Sequence, residues 1–246
     1  MEKFKKYKII KVEKGENRSI IDPIAAEEEW KINLNGDPWK YLFISPGEEE
    51  TLIAGHLYFA ELIGSYSEIH RIDVNKKSLS IEVSLKKNIK SSSEPLLSKI
   101  KKYASLSSSI SMTYEQIQDL HNKLSKAGEI FSLTGGTHCC LILSSEGEIL
   151  SQGEDISRHN AFARAVGRLI KDTDTVQGPM VILSSRINGE MVYRALRIRT
   201  EILIGVSAPT SFAVDLCKKK NITLIGFLRE GRFNIYTAPH RVVQTL

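Results

Sequence analysis

Four segments of the 246-residue chain gather side chains that chemistry uses. Thr134-Gly135-Gly136-Thr137-His138 is a Gly-rich loop ahead of an apolar run. Gly153-Glu154-Asp155-Ile156-Ser157-Arg158-His159-Asn160 opens a helical pattern, with Asp155 or Ser157 placed to cap it. Ser184 to Glu190 opens the next, and Ser207-Ala208-Pro209-Thr210 opens a third, with Ser as a cap and Pro near the first turn. Ser, Thr and Asp at helix starts serve as caps, and Gly135-Gly136 alone makes a turn. Arg158 and His159 do not fit that reading, because a cation in a first helical turn opposes the helix dipole. An anion between them resolves the conflict, with Arg158 offering a planar fork to phosphate or carboxylate. Arg186 stands in the same position one unit later. The two arginines predict a phosphorylated ligand. Arg229 and Arg232, in Phe227-Leu228-Arg229-Glu230-Gly231-Arg232, add charge. Phe227 there is either a stacking platform for a planar ring or a core residue of a basic hairpin.

The elements that must position these segments follow from periodicity. From Thr113 onward, apolar runs at 139–143, 180–183, 202–206 and 222–227 alternate with helical patterns at 159–170, 190–198 and 210–219. A helix capped by Thr113 runs to about Ala127 and carries Ile117, Leu120 and Leu124 on one stripe. Phe233 to Thr237 is a short edge strand. Regular alternation predicts an α/β domain, a three-layer α/β/α sandwich around a largely parallel sheet. Before it, a smaller α+β unit is expected over 1–105, leaving 106–246 for the sandwich. That unit holds a hairpin turning at Asn35-Gly36, a helix from Glu48 to about Ile63, and two β-prone stretches between Asp73 and Val83. A serine-rich stretch from Ser91 to Ser111, with one short helix from Leu96 to Lys102, separates the two.

Composition bounds the rest. With 41% hydrophobic and 26% charged residues, the chain has ordinary globular content. No apolar run approaches the roughly 18 residues of a membrane span, and Met1 to Lys6 lacks the features of a secretory signal, so a cytoplasmic location and no membrane partner are expected. The net charge of +5 admits an anionic partner. A nucleic-acid reading rests on that charge alone, since the lysine runs carry no interleaved aromatics or recognition motif. Cys139, Cys140 and Cys217 form neither a disulfide framework nor zinc-ligand spacing.

These segments, in this order, resemble the FdhD family of formate dehydrogenase accessory proteins. The motifs are Phe131-Ser-Leu-Thr-Gly-Gly-Thr-His138, Glu154-Asp-Ile-Ser-Arg-His-Asn-Ala161, Arg186 to Glu190, Ser207-Ala-Pro-Thr210, and Gly226-Phe-Leu-Arg229 with Tyr236-Thr237. The resemblance covers nearly the whole chain. It implies a cytidine-deaminase-like fold for 106–246, a homodimer, and binding of the molybdenum bis(molybdopterin guanine dinucleotide) cofactor. It also implies transfer of sulfur to that cofactor from a cysteine desulfurase, on behalf of formate dehydrogenase. The residues it assigns to the ligand are Thr134, Gly135, Gly136, His138, Glu154, Asp155, Arg158, His159, Asn160, Arg186, Ser207, Thr210 and the stretch Phe227, Leu228, Arg229, Glu230, Gly231, Arg232. Zinc deaminases need His/Cys-x-Glu and Pro-Cys-x-x-Cys to hold their metal, and this chain has neither, so no zinc is expected.

One departure bears on chemistry. Family members resembled here carry Cys-Gly-x-Cys-Gly just before the helix that begins at Tyr114, and a persulfide needs such a soft, accessible thiolate. Here Ser108 and Ser111 occupy those positions, and a serine hydroxyl cannot form a persulfide. Ser157 and Ser185 stand where the family has glycine, and Ala163-Arg164 where it has Asp-Lys. Cys139 and Cys140, as strand neighbours, point to opposite faces. Either they fill small core positions or one faces the pocket as a weak substitute nucleophile; Cys217 is packing. Two readings follow: an accessory sulfurtransferase using another thiol, or a protein that binds the cofactor or a guanine nucleotide without catalysis, as chaperone or sensor.

Overall fold

The computed structural model describes residues 2–87, 94–107, 110–174 and 176–243. The chain begins with a two-stranded ribbon, β1 (Phe4–Glu13) and β2 (Glu16–Ala25), paired over its full length. Its turn, Lys14-Gly15, has positive φ at both residues, the geometry that matches the twist of a tight hairpin. A second hairpin, β3 (Glu28–Leu34) and β4 (Asp37–Ile44), turns at Asn35-Gly36 with the same signature, as the sequence predicts. Helix α1 (Glu49–Phe59) follows and stops a turn short of Ile63, because Glu61 takes a left-handed backbone conformation. Strands β5 (Ile69–Asn75) and β6 (Ser80–Leu85) complete a four-stranded sheet of order β4-β3-β6-β5, and α2 (Leu96–Lys101) comes next.

Strand β7 (Met112–Thr113) leads into α3 (Tyr114–Ala127). Thr113 accepts the amide of Gln116 while the Gln116 side chain accepts the amide of Thr113, a reciprocal capping box. Ile117, Leu120 and Leu124 form the buried stripe. The chain continues through α4 (Glu129–Thr134), β8 (His138–Leu143), β9 (Ile149–Asp155), α5 (Arg158–Thr173), β10 (Met180–Leu183), α6 (Gly189–Arg197), β11 (Ile202–Gly205), α7 (Ser211–Lys220), β12 (Thr223–Arg229), β13 (Arg232–Thr237) and β14 (Val242–Val243). The large sheet has the order β13-β12-β11-β10-β8-β9. Only β10, β11 and β12 run parallel; β8, β9 and β13 join antiparallel, so the sheet is mixed rather than largely parallel. Tight reversals make the β8–β9 and β12–β13 pairings, since a tight turn can connect only antiparallel strands, whereas β8 meets β10 antiparallel after β9 and α5 intervene.

Helices cover both faces of this sheet. Cys139, Leu141, Met180, Ile182 and Ile204 meet α3 on one side, while Cys140, Ile142, Val181 and Leu183 face α5, α6 and α7 on the other. The second core is continuous with the N-terminal sheet: Trp30, Ile32 and Ile81 belong to the same buried cluster as Phe162 and Leu203. Helices α1 and α5 cross at backbone contact. A Cβ on Gly55 would lie 1.8 Å from the Ala163 carbonyl oxygen, and one on Gly167 would lie 1.7 Å from that of Thr51. Only glycine permits that approach.

Candidate functional site

Topology brings the polar segments together. The parallel strands β10, β11 and β12 end where β8 begins and β9 ends, so Thr134–His138, Asp155–Asn160, Ser184–Glu190, Ser207–Thr210 and Phe227–Arg232 share one edge of the sheet. This is the edge where open α/β sheets take ligands. Backbone bonds tie the loops to one another: the Ile187 amide donates to the Ala208 carbonyl, that of Thr210 to Ile187, and that of Phe227 to Ser207.

Several of the named side chains hold the scaffold. Asp155 is fully buried; its carboxylate accepts the amides of Ser45 and Ser157, the amide group of Asn160, and the Arg164 guanidinium at 2.8 Å. Asn160 also donates to the Phe43 carbonyl and accepts from His56 at 2.9 Å. Neither reaches solvent, so both bind α5 to the N-terminal unit. Ser157 occupies the cap position of α5 without a side-chain bond, and Asp155 satisfies its amide instead. The Glu154 carboxylate takes the amides of Ile130 and Phe131 and the Thr137 hydroxyl, fixing the start of α4. Thr134 bonds back to Ile130 and accepts the Gly136 amide, and Gly135 ends α4 at positive φ. Leu228 is a core residue, with no exposed surface. Thr210, not Ser207, caps α7, and Asn188 caps α6, so Arg186 lies in the loop before that helix rather than in its first turn.

What remains open to a ligand forms a compact set. A cavity of about 340 Å³ lies under the Gly-rich loop, walled by His121, Leu124, Phe131, His138, Cys139 and Ser184. His138 is half-buried, its Nδ1 3.3 Å from the Ser184 hydroxyl. Burial, and then the charge of Arg158, lower its pKa, which favours a neutral ring. Among the described residues neither Arg158 nor Arg186 has an ion-pair partner. His159, by contrast, meets Glu190 at 3.1 Å. Phe227 and Arg232 are exposed, while Arg229 donates to the carbonyls of Val206 and Leu228. Glu230 and Gly231 form the tip of the β12–β13 hairpin, where the Gly231 amide donates to Gln118. Sequence reasoning missed His121 and Phe131 as wall residues. His121 precedes Leu124 by three, the spacing that puts two helical side chains on one face.

The thiols are all inside. Cys139 borders the cavity but is 5% exposed; Cys140 and Cys217 are fully buried. Burial, reinforced by nearby Glu154, pushes the Cys139 thiol up to about 12. Burial alone takes Cys217 to about 12, and Cys140 is also driven well above its ordinary value. Such thiols stay protonated and unreactive near neutral pH.

Leu106, Ser107 and Ile110 lie at the other edge of the sheet. The Leu106 amide donates to the Lys220 carbonyl and Asn221 donates to the Leu106 carbonyl, just ahead of β12. Ser107 and Ile110 line a cleft of about 1020 Å³ together with Pro179 and Glu201, the residues that precede β10 and β11. Ser111 is exposed; Ser108 lies outside the described residues.

An apolar cavity and, among the described residues, two arginines without ion-pair partners lie at the edge where α/β sheets take small ligands. The chain belongs to the FdhD/NarQ family, which it matches over residues 25–243. Curated relatives named sulfur carrier protein FdhD share 30% identity in Sulfolobus acidocaldarius, over 97% of this chain and 98% of that one, and 30% in Staphylococcus haemolyticus, over 96% of each. A Desulfotalea psychrophila protein, whose crystal structure carries the provisional description of a formate dehydrogenase accessory protein, superposes with a TM-score of 0.85 at 22% identity. That likeness covers 98% of this chain and 100% of that one. No helix among the described residues is long and apolar enough to cross a membrane.

Proposed function

We propose that this protein is an accessory factor for formate dehydrogenase that binds a guanine-dinucleotide form of the molybdenum cofactor as cargo and holds it without carrying sulfur itself. The observation behind the reading is a contrast within one chain. Among the described residues Arg158 and Arg186 stand without ion-pair partners on the same sheet edge as an apolar cavity, whereas all three thiols are buried, which favours their protonated form. The cavity has room for one fused-ring base rather than a whole dinucleotide. Phosphates would then lie outside it, against Arg158 and Arg186, with Arg232 in reach of a longer ligand and Phe227 as a stacking surface. Neutral His138 and Ser184 would supply directional hydrogen bonds at the rim.

In the family role, a cysteine desulfurase would load sulfur on a loop that here carries Ser111 at the opposite edge of the sheet. The four-residue strands between the edges span on the order of 13 Å. Sulfur on that loop would therefore not touch a ligand bound at the carboxyl edge. Cys139 is the one thiol on the ligand side, and its burial argues against the role. A homodimer and a cytidine-deaminase-like origin for the six-stranded sheet belong to the same proposal.

Calorimetry with GDP tests it. Binding is expected, and Arg158→Ala should weaken it by about ten- to a hundredfold, the worth of one charge-assisted phosphate bond of about 1.5–3 kcal/mol. A folded protein with no affinity for GDP would overturn the reading.

A further inference from the structure

A second cavity, also about 340 Å³, lies between the N-terminal sheet, α1, α2 and α6; of the motif segments only Ser184–Glu190 reaches it, through Glu190. Lys40 on β4, His56 on α1, Glu94, Lys99 on α2, and Glu190, Tyr193 and Arg194 on α6 line it. Most of these charges are already balanced. Glu190 is held by His159 at 3.1 Å and by Arg194 at 3.1 Å; Arg194 also donates to the His159 carbonyl and lies 4.5 Å from the Phe59 ring centroid. Lys99 pairs with Glu61, which accepts the Tyr193 hydroxyl, and Glu94 pairs with Lys102. His56 is buried and engaged with Asn160. The remaining cation is Lys40. Its ammonium sits 3.9 Å from the Trp39 ring centroid, and among the described residues no carboxylate lies within ion-pairing distance. A partly buried ammonium without a counter-charge is costly, and the cavity beside it can hold one.

We propose that this cavity binds a compact oxyanion, of the size of a small carboxylate or inorganic phosphate, with Lys40 as its counter-charge. Burial, then Arg194, depress the Lys40 pKa to about 8, with Glu190 pulling the other way. An anion that prefers the ammonium form must therefore raise it, by linkage. The proposal is independent of the nucleotide reading, which uses other residues.

Heteronuclear NMR of the lysine side chains of the full chain tests it, with the Lys40 resonance assigned by its loss in Lys40→Met. Acetate and inorganic phosphate are the probes, and chloride at matched ionic strength controls for screening. The expected result is an upward move of the Lys40 titration midpoint, one pH unit for each tenfold preference for the charged form, with either probe but not with chloride. Arg186→Ala should leave the shift unchanged. An unmoved midpoint, or an equal move in chloride, would overturn the proposal.

Discussion

The polar residues of the motif segments divide by what their side chains touch. Asp155, Asn160 and Glu154 spend their capacity on backbone groups, Arg164 and His56, whereas among the described residues Arg158 and Arg186 have no ion-pair partner. Residue type alone could not separate them, because a carboxylate beside a helix start reads the same whether it caps or binds. Arg158 was legible because a cation in a first helical turn opposes the dipole, whereas the same argument misplaced Arg186, which precedes the cap of α6. The cysteines follow the same logic in reverse: position on β8 predicted opposite faces, and the two cores confirm it. At pH 7 the native thiols should react slowly with an aromatic disulfide reagent, and all three should react at once in guanidinium; fast labelling of the native protein would contradict the burial. Glu190 supplies a pH test. Its bond to His159, and then Arg194, lower its pKa from 4.5 to about 2. A depressed carboxylate contributes stability that is full above 4.5 and lost as pH falls toward about 2. Glu190→Gln should therefore flatten the acid limb of a stability–pH curve in that window, and an unchanged slope would show the interaction to be worth little.

At the scale of elements, strong periodicity was readable and weak periodicity was not. Helix α3 showed its cap and stripe, and each strand of the parallel trio showed an apolar run. Strand β9 was hidden because its buried positions carry Ser151, Gly153 and Asp155 in place of apolar side chains; at Gly153 a Cβ would lie 2.2 Å from the Ala161 carbonyl oxygen on α5. The ribbon β1–β2 was hidden because lysines and aliphatics occupy both of its faces; Ile10, Val12 and Ile21 are each more than 60% exposed. Helix α4 is too short for a period. The contact of α1 with α5 makes the sharpest prediction here. Gly167→Ala must push the helices apart, and it should cost roughly 3 kcal/mol or more in denaturant unfolding. A loss below about 0.5 kcal/mol would mean that the crossing relaxes freely.

On the scale of the whole molecule, the sheet separates two edges. One holds an apolar cavity and the arginines of the motif segments, and the other carries Ser107 and Ile110 beside a larger cleft. The sequence located both sets of residues but could not place them apart, since distance across a sheet depends on strand order, which no local pattern encodes. It also overestimated the parallel character of the sheet, because an apolar run does not report its direction. The separation and the buried thiols together define the central claim, a family member that binds without carrying sulfur. Its most direct test is intact-protein mass spectrometry after incubation with a cysteine desulfurase and cysteine, followed by mapping of any modified peptide. The account predicts a protein of unchanged mass. Added sulfur on Cys139, Cys140 or Cys217 would contradict it.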